Sequence, residues 1–187
     1  MLAFNGDHQH ALECARLIAK WGIDTVVETG TLAGDTTRAF AELVPIVYTI
    51  DIEPSHWRGP EAPAWINRLT GDSGALLADL RRTLPERIFY YLDAHPLVTP
   101  NRAGHSPLLE ELRAIIGAIL PPVIVIHDFF NPLHPEYPFD THDIGPYKFE
   151  LIRPALAQIY GAGCFQWHYN SIMAGVACGV IYIEPFP

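Results

Sequence analysis

Residues Val26 to Thr37 constrain the chain most. An apolar run ends in the acid Glu28 and a turn from Gly30 to Gly34, and a helix-like pattern follows from Asp35 to Leu43. A second apolar run, Ile46 to Ile50, then ends in Asp51. Strand, glycine turn, helix and strand in that order make a βαβ unit, which implies a parallel sheet. A glycine turn at the head of a helix lets a nucleotide-like ligand touch backbone. An acid at the tip of the next strand can hold a ribose.

The spacing narrows the ligand. A dinucleotide fingerprint places three glycines as Gly-x-Gly-x-x-Gly. Here Thr31, Leu32 and Ala33 separate Gly30 from Gly34, so the middle glycine that admits a pyrophosphate is missing. Glu28 stands two residues before Gly30. A carboxylate there would face a pyrophosphate badly but suits an amine or a sulfonium. The pocket is better matched to S-adenosylmethionine (SAM) than to NAD. An ordinary strand–turn–helix corner is the plain alternative.

The stretch Glu28-Thr29-Gly30-Thr31-Leu32-Ala33-Gly34-Asp35-Thr36 resembles motif I of class I SAM-dependent methyltransferases. Its Glu-x-Gly-x-x-x-Gly spacing is closest to the catechol O-methyltransferase-like branch, with antibiotic-tailoring O-methyltransferases beside it. Thr49-Ile50-Asp51-Ile52-Glu53-Pro54 resembles that branch's second-strand motif. The resemblance runs from about Gln9 to Glu184. It implies that Glu28 and Gly30 face the methionine part, Asp51 the ribose, and Asp72 the adenine. The cofactor-binding set is then Glu28, Thr29, Gly30, Thr31, Gly34, Thr36, Asp51, Ile52, Asp72, Ser73 and Asp93. Asp72 or Ser73 can equally serve as a helix N-cap.

Apolar runs alternate with helical patterns along the chain. Ala11, Leu12, Ala15, Leu17 and Ile18 suggest a leading helix. Strands are expected at 25–28, 47–52, 66–69, 88–92 and 123–127, with helices at 74–84 and 107–120. Phe165–Tyr169 and Val176–Ile183 are separated by too few residues for a helical crossover, so they should pair antiparallel. The fold expected is α/β: a doubly wound, mostly parallel seven-stranded sheet in the order 3-2-1-4-5-7-6, its last strand reversed. Residues 1–187 form one domain. The proline-rich segment Phe129–Pro146 is a long loop after the fifth strand, placed to act as a lid over the ligand crevice.

Two strand tips carry a second constellation. Tyr90-Tyr91-Leu92-Asp93-Ala94-His95 closes the fourth strand and Ile124-Val125-Ile126-His127-Asp128 the fifth. Neighbouring strands bring Asp93, His95, His127 and Asp128 together as the candidate catalytic group. Carboxylate and imidazole can hold a divalent ion that lowers the pKa of an acceptor hydroxyl, or a histidine can act as general base. In catechol-type relatives an Asp after the fourth strand and an Asp-Asn pair after the fifth bind magnesium. Asp93 and Asp128 match the aspartates, but Phe129 replaces the asparagine. In antibiotic-tailoring relatives the counterpart of the acid-Asp pair is His127-Asp128. The candidate metal set is therefore Asp93, His127 and Asp128, for magnesium or a softer ion such as manganese, iron or zinc. A core histidine and a loop-capping aspartate are the plain reading.

Other residues say less. His8 and His10 read as solvent-exposed, and His105 carries no role. Trp57 and Trp65 read as core packing or an adenine wall. Tyr137, Phe139 and Tyr147 could line an aromatic acceptor site or form a small core of the lid. Cys14, Cys164 and Cys178 read as buried reduced thiols.

A net charge of −9 and scattered Lys and Arg argue against a nucleic-acid partner. No run reaches membrane-spanning length and no signal peptide precedes the first helix, so a cytoplasmic protein is expected. Catechol-type relatives carry more N-terminal helices over the acceptor, which suggests a homodimer. The function expected is methyl transfer from SAM to a small-molecule acceptor, at a hydroxyl oxygen. The alternatives are a nicotinamide-linked oxidoreductase, a metal-dependent hydrolase, and a SAM-binding protein without catalysis.

Overall fold

A computed structural model describes residues 2–58, 61–84, 87–94, 107–142, 145–171 and 175–187. A 3-10 turn, Ala3–Gly6, precedes α1 (His8–Trp21). Then follow β1 (Thr25–Thr29), α2 (Asp35–Ala41), β2 (Ile46–Asp51), β3 (Ile66–Thr70), α3 (Ser73–Thr83) and β4 (Ile88–Leu92). The second half holds α4 (Leu108–Ile115), β5 (Val123–Ile126), α5 (Phe149–Tyr160), β6 (Phe165–Tyr169) and β7 (Ile181–Pro185). Strands β1 to β7 form one sheet in the order β3-β2-β1-β4-β5-β7-β6. The five strands β1 to β5 pair in parallel, and β7 runs antiparallel to both β5 and β6. This is the order and the reversal expected from sequence.

Both faces of the sheet are covered, and β1, β4 and β5 are buried along their whole length. Val26, Val47, Phe89 and Val125 point to a core shared with Leu17 of α1 and Phe40 of α2. Their chain neighbours Val27, Tyr90 and Ile124 point to the opposite core, with Leu77 of α3, Leu112 of α4 and Leu156 of α5. Alternation along each strand divides the side chains between the two layers.

Local chemistry sets the helix ends. Asp7 caps α1 by accepting from His10 N at 2.9 Å, and Gly22 closes it in the left-handed conformation. Helix α4 is shorter than the expected 107–120. It stops at Ile116, whose carbonyl accepts from Arg81 Nη1 at 2.7 Å, and Gly117 continues with φ +84°. The final strand also starts later than expected. Residues 178–180 are engaged elsewhere: Phe129 N donates to Gly179 O and Gly179 N to Pro138 O, both at 2.8 Å. The segment Phe129–Pro146 is thus stitched to the sheet edge, with a two-residue ladder between Thr141–His142 and Gly145–Pro146. Helix α5, with Pro154 inside it, is an element the sequence reading did not delimit.

Three side-chain readings need correction. His10 is buried, not solvent-exposed: Nδ1 lies 2.8 Å from Tyr182 Oη and Nε2 3.0 Å from Tyr91 Oη. The apolar face of α1 carries it into the core, where the two phenols satisfy its ring. Cys164 is exposed at the turn before β6, while Cys14 and Cys178 are buried. Trp65 is exposed, and Trp57 stacks against the guanidinium groups of Arg38 and Arg68. No helix among the described residues is long and apolar enough to cross a membrane.

Candidate functional site

A cleft of about 250 Å³ opens at the carboxyl ends of β1, β2 and β4. The turn after β1 shapes its floor. Gly30 has φ +82°, and a Cβ on it would come within 2.3 Å of the Asp93 carbonyl oxygen. Gly34 has φ +76°, and its Cβ would strike the Trp57 ring at 2.3 Å. Only glycine allows both conformation and approach. Of the predicted cofactor set, Glu28, Gly30, Thr31, Gly34, Thr36, Asp51, Ile52, Asp72, Ser73 and Asp93 all line this cleft. Thr29 does not; it lies behind, where its carbonyl accepts from Asp93 N at 3.2 Å.

The acids are held in different ways. Glu28 is buried, and its Oε2 accepts from the hydroxyls of Thr37 and Thr49, the latter at 2.6 Å. Burial pushes its carboxyl up to about 8, against the pull of those two hydroxyls. Asp51 accepts from Leu32 N through Oδ2 and from Glu53 N through Oδ1, both at 2.8 Å. Its carboxylate is thereby fixed at the rim. Asp72 caps α3 by accepting from Ala75 N at 3.0 Å while facing the cleft. The N-terminal residues Leu2, Phe4 and Asn5 form a further wall that sequence reasoning missed. Phe4 and Asn5 have φ of 51° and 53°, and Phe4 N donates to Thr36 Oγ1 at 3.0 Å. A period-based reading had no signal for a left-handed turn made of non-glycine residues.

Beyond β4 and β5 lies a second, much smaller cavity of about 20 Å³, lined by Asp93, Glu111, His127, Asp128, Asp140 and Tyr147 among others. Asp93 and Ala94 line both spaces. Two of the expected residues meet on a third: His127 Nδ1 lies 3.0 Å from Asp93 Oδ1 and 2.8 Å from Asp128 Oδ2. Carboxylates accept, so Nδ1 carries the proton. Burial opposes charge on this ring, but Asp93, Cys178 and Asp128 together hold its pKa well above the ordinary value. Asp128 adopts φ +50°, a left-handed turn that swings its carboxylate back to His127. Glu111 is fully buried behind the cluster. Burial raises its carboxyl to about 7, offset by hydrogen bonds from Ser73 and Thr29. His95 and His105 lie outside the described residues.

The catechol-type magnesium set is not reproduced. Phe129, where that set has asparagine, is buried in the core and stacks on Tyr169. The imidazole N–H of His127 stands between the two aspartates. Among the described residues, the group with ligand atoms within 4.8 Å of one another is His127, Asp128 and Cys178, not the Asp93, His127 and Asp128 expected. A donor set of imidazole, carboxylate and thiol does not fit a hard, six-oxygen ion. Tyr137 and Phe139 do not line either cavity. Phe139 packs edge-on against Phe130, and Tyr137 against His134, which is the small-core alternative.

No family model and no curated protein matches the sequence. Solved structures do match the fold. An O-methyltransferase from Bacillus cereus, in complex with SAH, superposes with a TM-score of 0.57 at 15% identity, covering 96% of this chain and 82% of that one. The O-methyltransferase TomG from Streptomyces achromogenes, in complex with SAM, gives 0.63 at 15% identity over 96% and 80%. The chain has the fold of class I SAM-dependent methyltransferases. An rRNA methylase from Streptococcus thermophilus gives 0.57 at 12% identity over 94% and 96%, so the shared fold does not fix the acceptor. Neither the nicotinamide nor the hydrolase alternative gains support from these similarities.

Proposed function

We propose that the protein is a methyltransferase that moves a methyl group from SAM to a small-molecule acceptor at a hydroxyl oxygen. The observation that carries this reading is the cleft itself. One glycine-floored space is lined at once by a buried carboxyl at the β1 tip, a fixed carboxylate at the β2 tip and the Asp93 carboxylate leading to a second cavity.

Bound in the cleft, SAM supplies an electrophilic methyl group. Glu28 faces its cationic end, where the charge of an ammonium or sulfonium draws the carboxyl into its ionised form. Asp51 keeps lone pairs for ribose hydroxyls beyond the two backbone amides it accepts. Asp72 and Ser73 border the adenine. Asp93 sits where the two cavities join and takes the acceptor's hydroxyl proton. His127 holds Asp93 in place through Nδ1–H, and Asp128 fixes the ring from the other side. The main contribution of these residues is orientation of acceptor and donor, together with that proton. A divalent ion at the His127–Asp128 cluster would supply further acidity to the hydroxyl. The segment Phe129–Pro146, tied to the sheet edge, covers the acceptor side.

Thermal shift of the purified protein tests the reading. SAM and SAH are expected to raise the melting temperature by several degrees and NAD to leave it unchanged. The shift should vanish in Asp51→Ala. Equal protection by NAD, or full protection of Asp51→Ala by SAM, overturns it.

A further inference from the structure

His127 presents its second nitrogen to a thiol. Nε2 lies 3.2 Å from Cys178 Sγ, while Nδ1 is committed to Asp93 and Asp128. Carboxylates on Nδ1 keep a proton there, so that Nε2 is the nitrogen that can give up its proton to a metal ion, the arrangement found behind metal-ligating histidines. Cys178 is not a loose neighbour. Asp128 N donates to its sulfur at 3.4 Å, and Asn170 Nδ2 donates to its carbonyl at 2.8 Å. The next residue, Gly179, is pressed so close to Phe129 that a Cβ would come within 2.1 Å of the Phe129 carbonyl oxygen. Three chain segments therefore hold the sulfur against the ring before any ligand arrives.

Cys, His and Asp in this sequence of contacts also resemble a nucleophilic triad. Burial rules that use out. Cys178 is 3% exposed and lines neither cavity, so no carbon electrophile reaches it. A metal ion is small enough. Zinc sits about 2.3 Å from thiolate sulfur and about 2.0 Å from imidazole nitrogen, distances that span the His127–Cys178 gap.

We infer that His127, Asp128 and Cys178 form a binding site for a thiophilic, borderline divalent ion of the zinc or cobalt class, with Asp93 orienting His127 from the far side. As the metal–sulfur and metal–nitrogen bonds form, the Cys178 thiol and His127 Nε2 each release a proton to solvent. Thiolate and imidazole favour such an ion over magnesium, which prefers oxygen ligands. This deepens the metal component of the proposed function, yet it is read without any methyl donor.

Titration of the full-length protein with Co(II) tests it. A thiolate-to-cobalt charge-transfer absorption should appear in the near ultraviolet, saturate at one ion per chain, survive excess Mg(II) and be displaced by Zn(II). Cys178→Ser should abolish the band, whereas Cys14→Ser and Cys164→Ser should keep it. Asp93→Asn should keep the band while weakening affinity about 10- to 100-fold. Zinc-edge X-ray absorption of the unmutated protein needs no variant and should show one sulfur ligand. A band that survives Cys178→Ser, its loss to Mg(II), or a shell of nitrogen and oxygen alone overturns the inference. SAM protection measured on the same preparation separates the two proposals. Protection without a band leaves methyl transfer standing and removes this site, and a band without protection does the reverse.

Discussion

Gly30 and Asp93 touch through their backbones: a side-chain carbon on Gly30 would meet the Asp93 carbonyl oxygen at 2.3 Å. The contact joins the glycine turn to the tip of β4, so the floor of the cleft and the Asp93 carboxylate share one register. Gly30→Ala must push the two apart and also strain a backbone at φ +82°. Overpacking of this kind costs about 1–3 kcal/mol. We expect a melting temperature lower by roughly 2–10 °C and SAM affinity weaker by at least about tenfold. Calorimetry and equilibrium binding check both, and unchanged affinity would remove the turn from the site.

Glu28 should give up a proton when SAM binds. Its carboxyl is raised from 4.5 to about 8 by burial, so at neutral pH the folded protein holds a proton there that the unfolded chain does not. Stability from this group is full below pH 4.5 and declines as pH rises through about 8. A cationic ligand reverses the preference for the neutral form. Isothermal titration at pH 7 in buffers of differing ionisation enthalpy should report up to one proton released. Glu28→Gln should release none and should lose the pH slope in urea unfolding.

His10 should behave oppositely. Burial and the neighbouring His127 lower its pKa from 6.5 to about 3, so the unfolded chain takes up a proton that the folded one refuses. The stability it contributes is present above pH 6.5 and is lost as pH falls toward 3. Nitrogen shifts in NMR should show a neutral ring at pH 5. A His10 that titrates at its ordinary value would mean the phenol contacts are not kept in solution.

Under the proposed function, Asp93 should matter to catalysis more than to binding. Asp93→Asn keeps the shape at the junction of the cavities but removes the proton acceptor. We expect kcat to fall about 10²- to 10⁴-fold and SAM affinity to change by less than about tenfold. Parallel loss of both would make it a cofactor residue only.

Strands β2, β4 and β5 are legible because parallel strands covered on both faces show as apolar runs, and a run ends where its tip residue turns polar; β1 shows only Val26 and Val27 before Glu28, and the edge strand β3 only alternates. That rule located Glu28, Asp51, Asp93 and Asp128 directly. It did not reveal Leu2, Phe4 and Asn5, whose left-handed turn has no glycine to mark it. It did not reveal His10 either, since a buried histidine and an exposed one look alike until Tyr91 and Tyr182 are brought to it from distant strands. Cys178 reads as a buried reduced thiol, as it is, but its place beside His127 does not show in the sequence. Its meeting with His127 spans 51 residues and depends on the close approach of Gly179 to Phe129.

The ends of the polypeptide depend on each other. Lys20 Nζ and Trp21 Nε1 both donate to Glu184 Oε2, at 2.6 and 2.7 Å, and His168 Nε2 lies 2.9 Å from Glu13. The first helix thus docks on strands made much later, across separations of up to 164 residues. During synthesis the apolar face of α1 can pack on β1, β2, β4 and β5, but Lys20, Trp21 and Glu13 lack their partners until β6 and β7 have left the ribosome. Such long-range closure slows folding. Trimming β7 would therefore release the opposite end of the chain, and recombinant yield should depend more on the integrity of the C-terminal hairpin than on any substitution in the cleft.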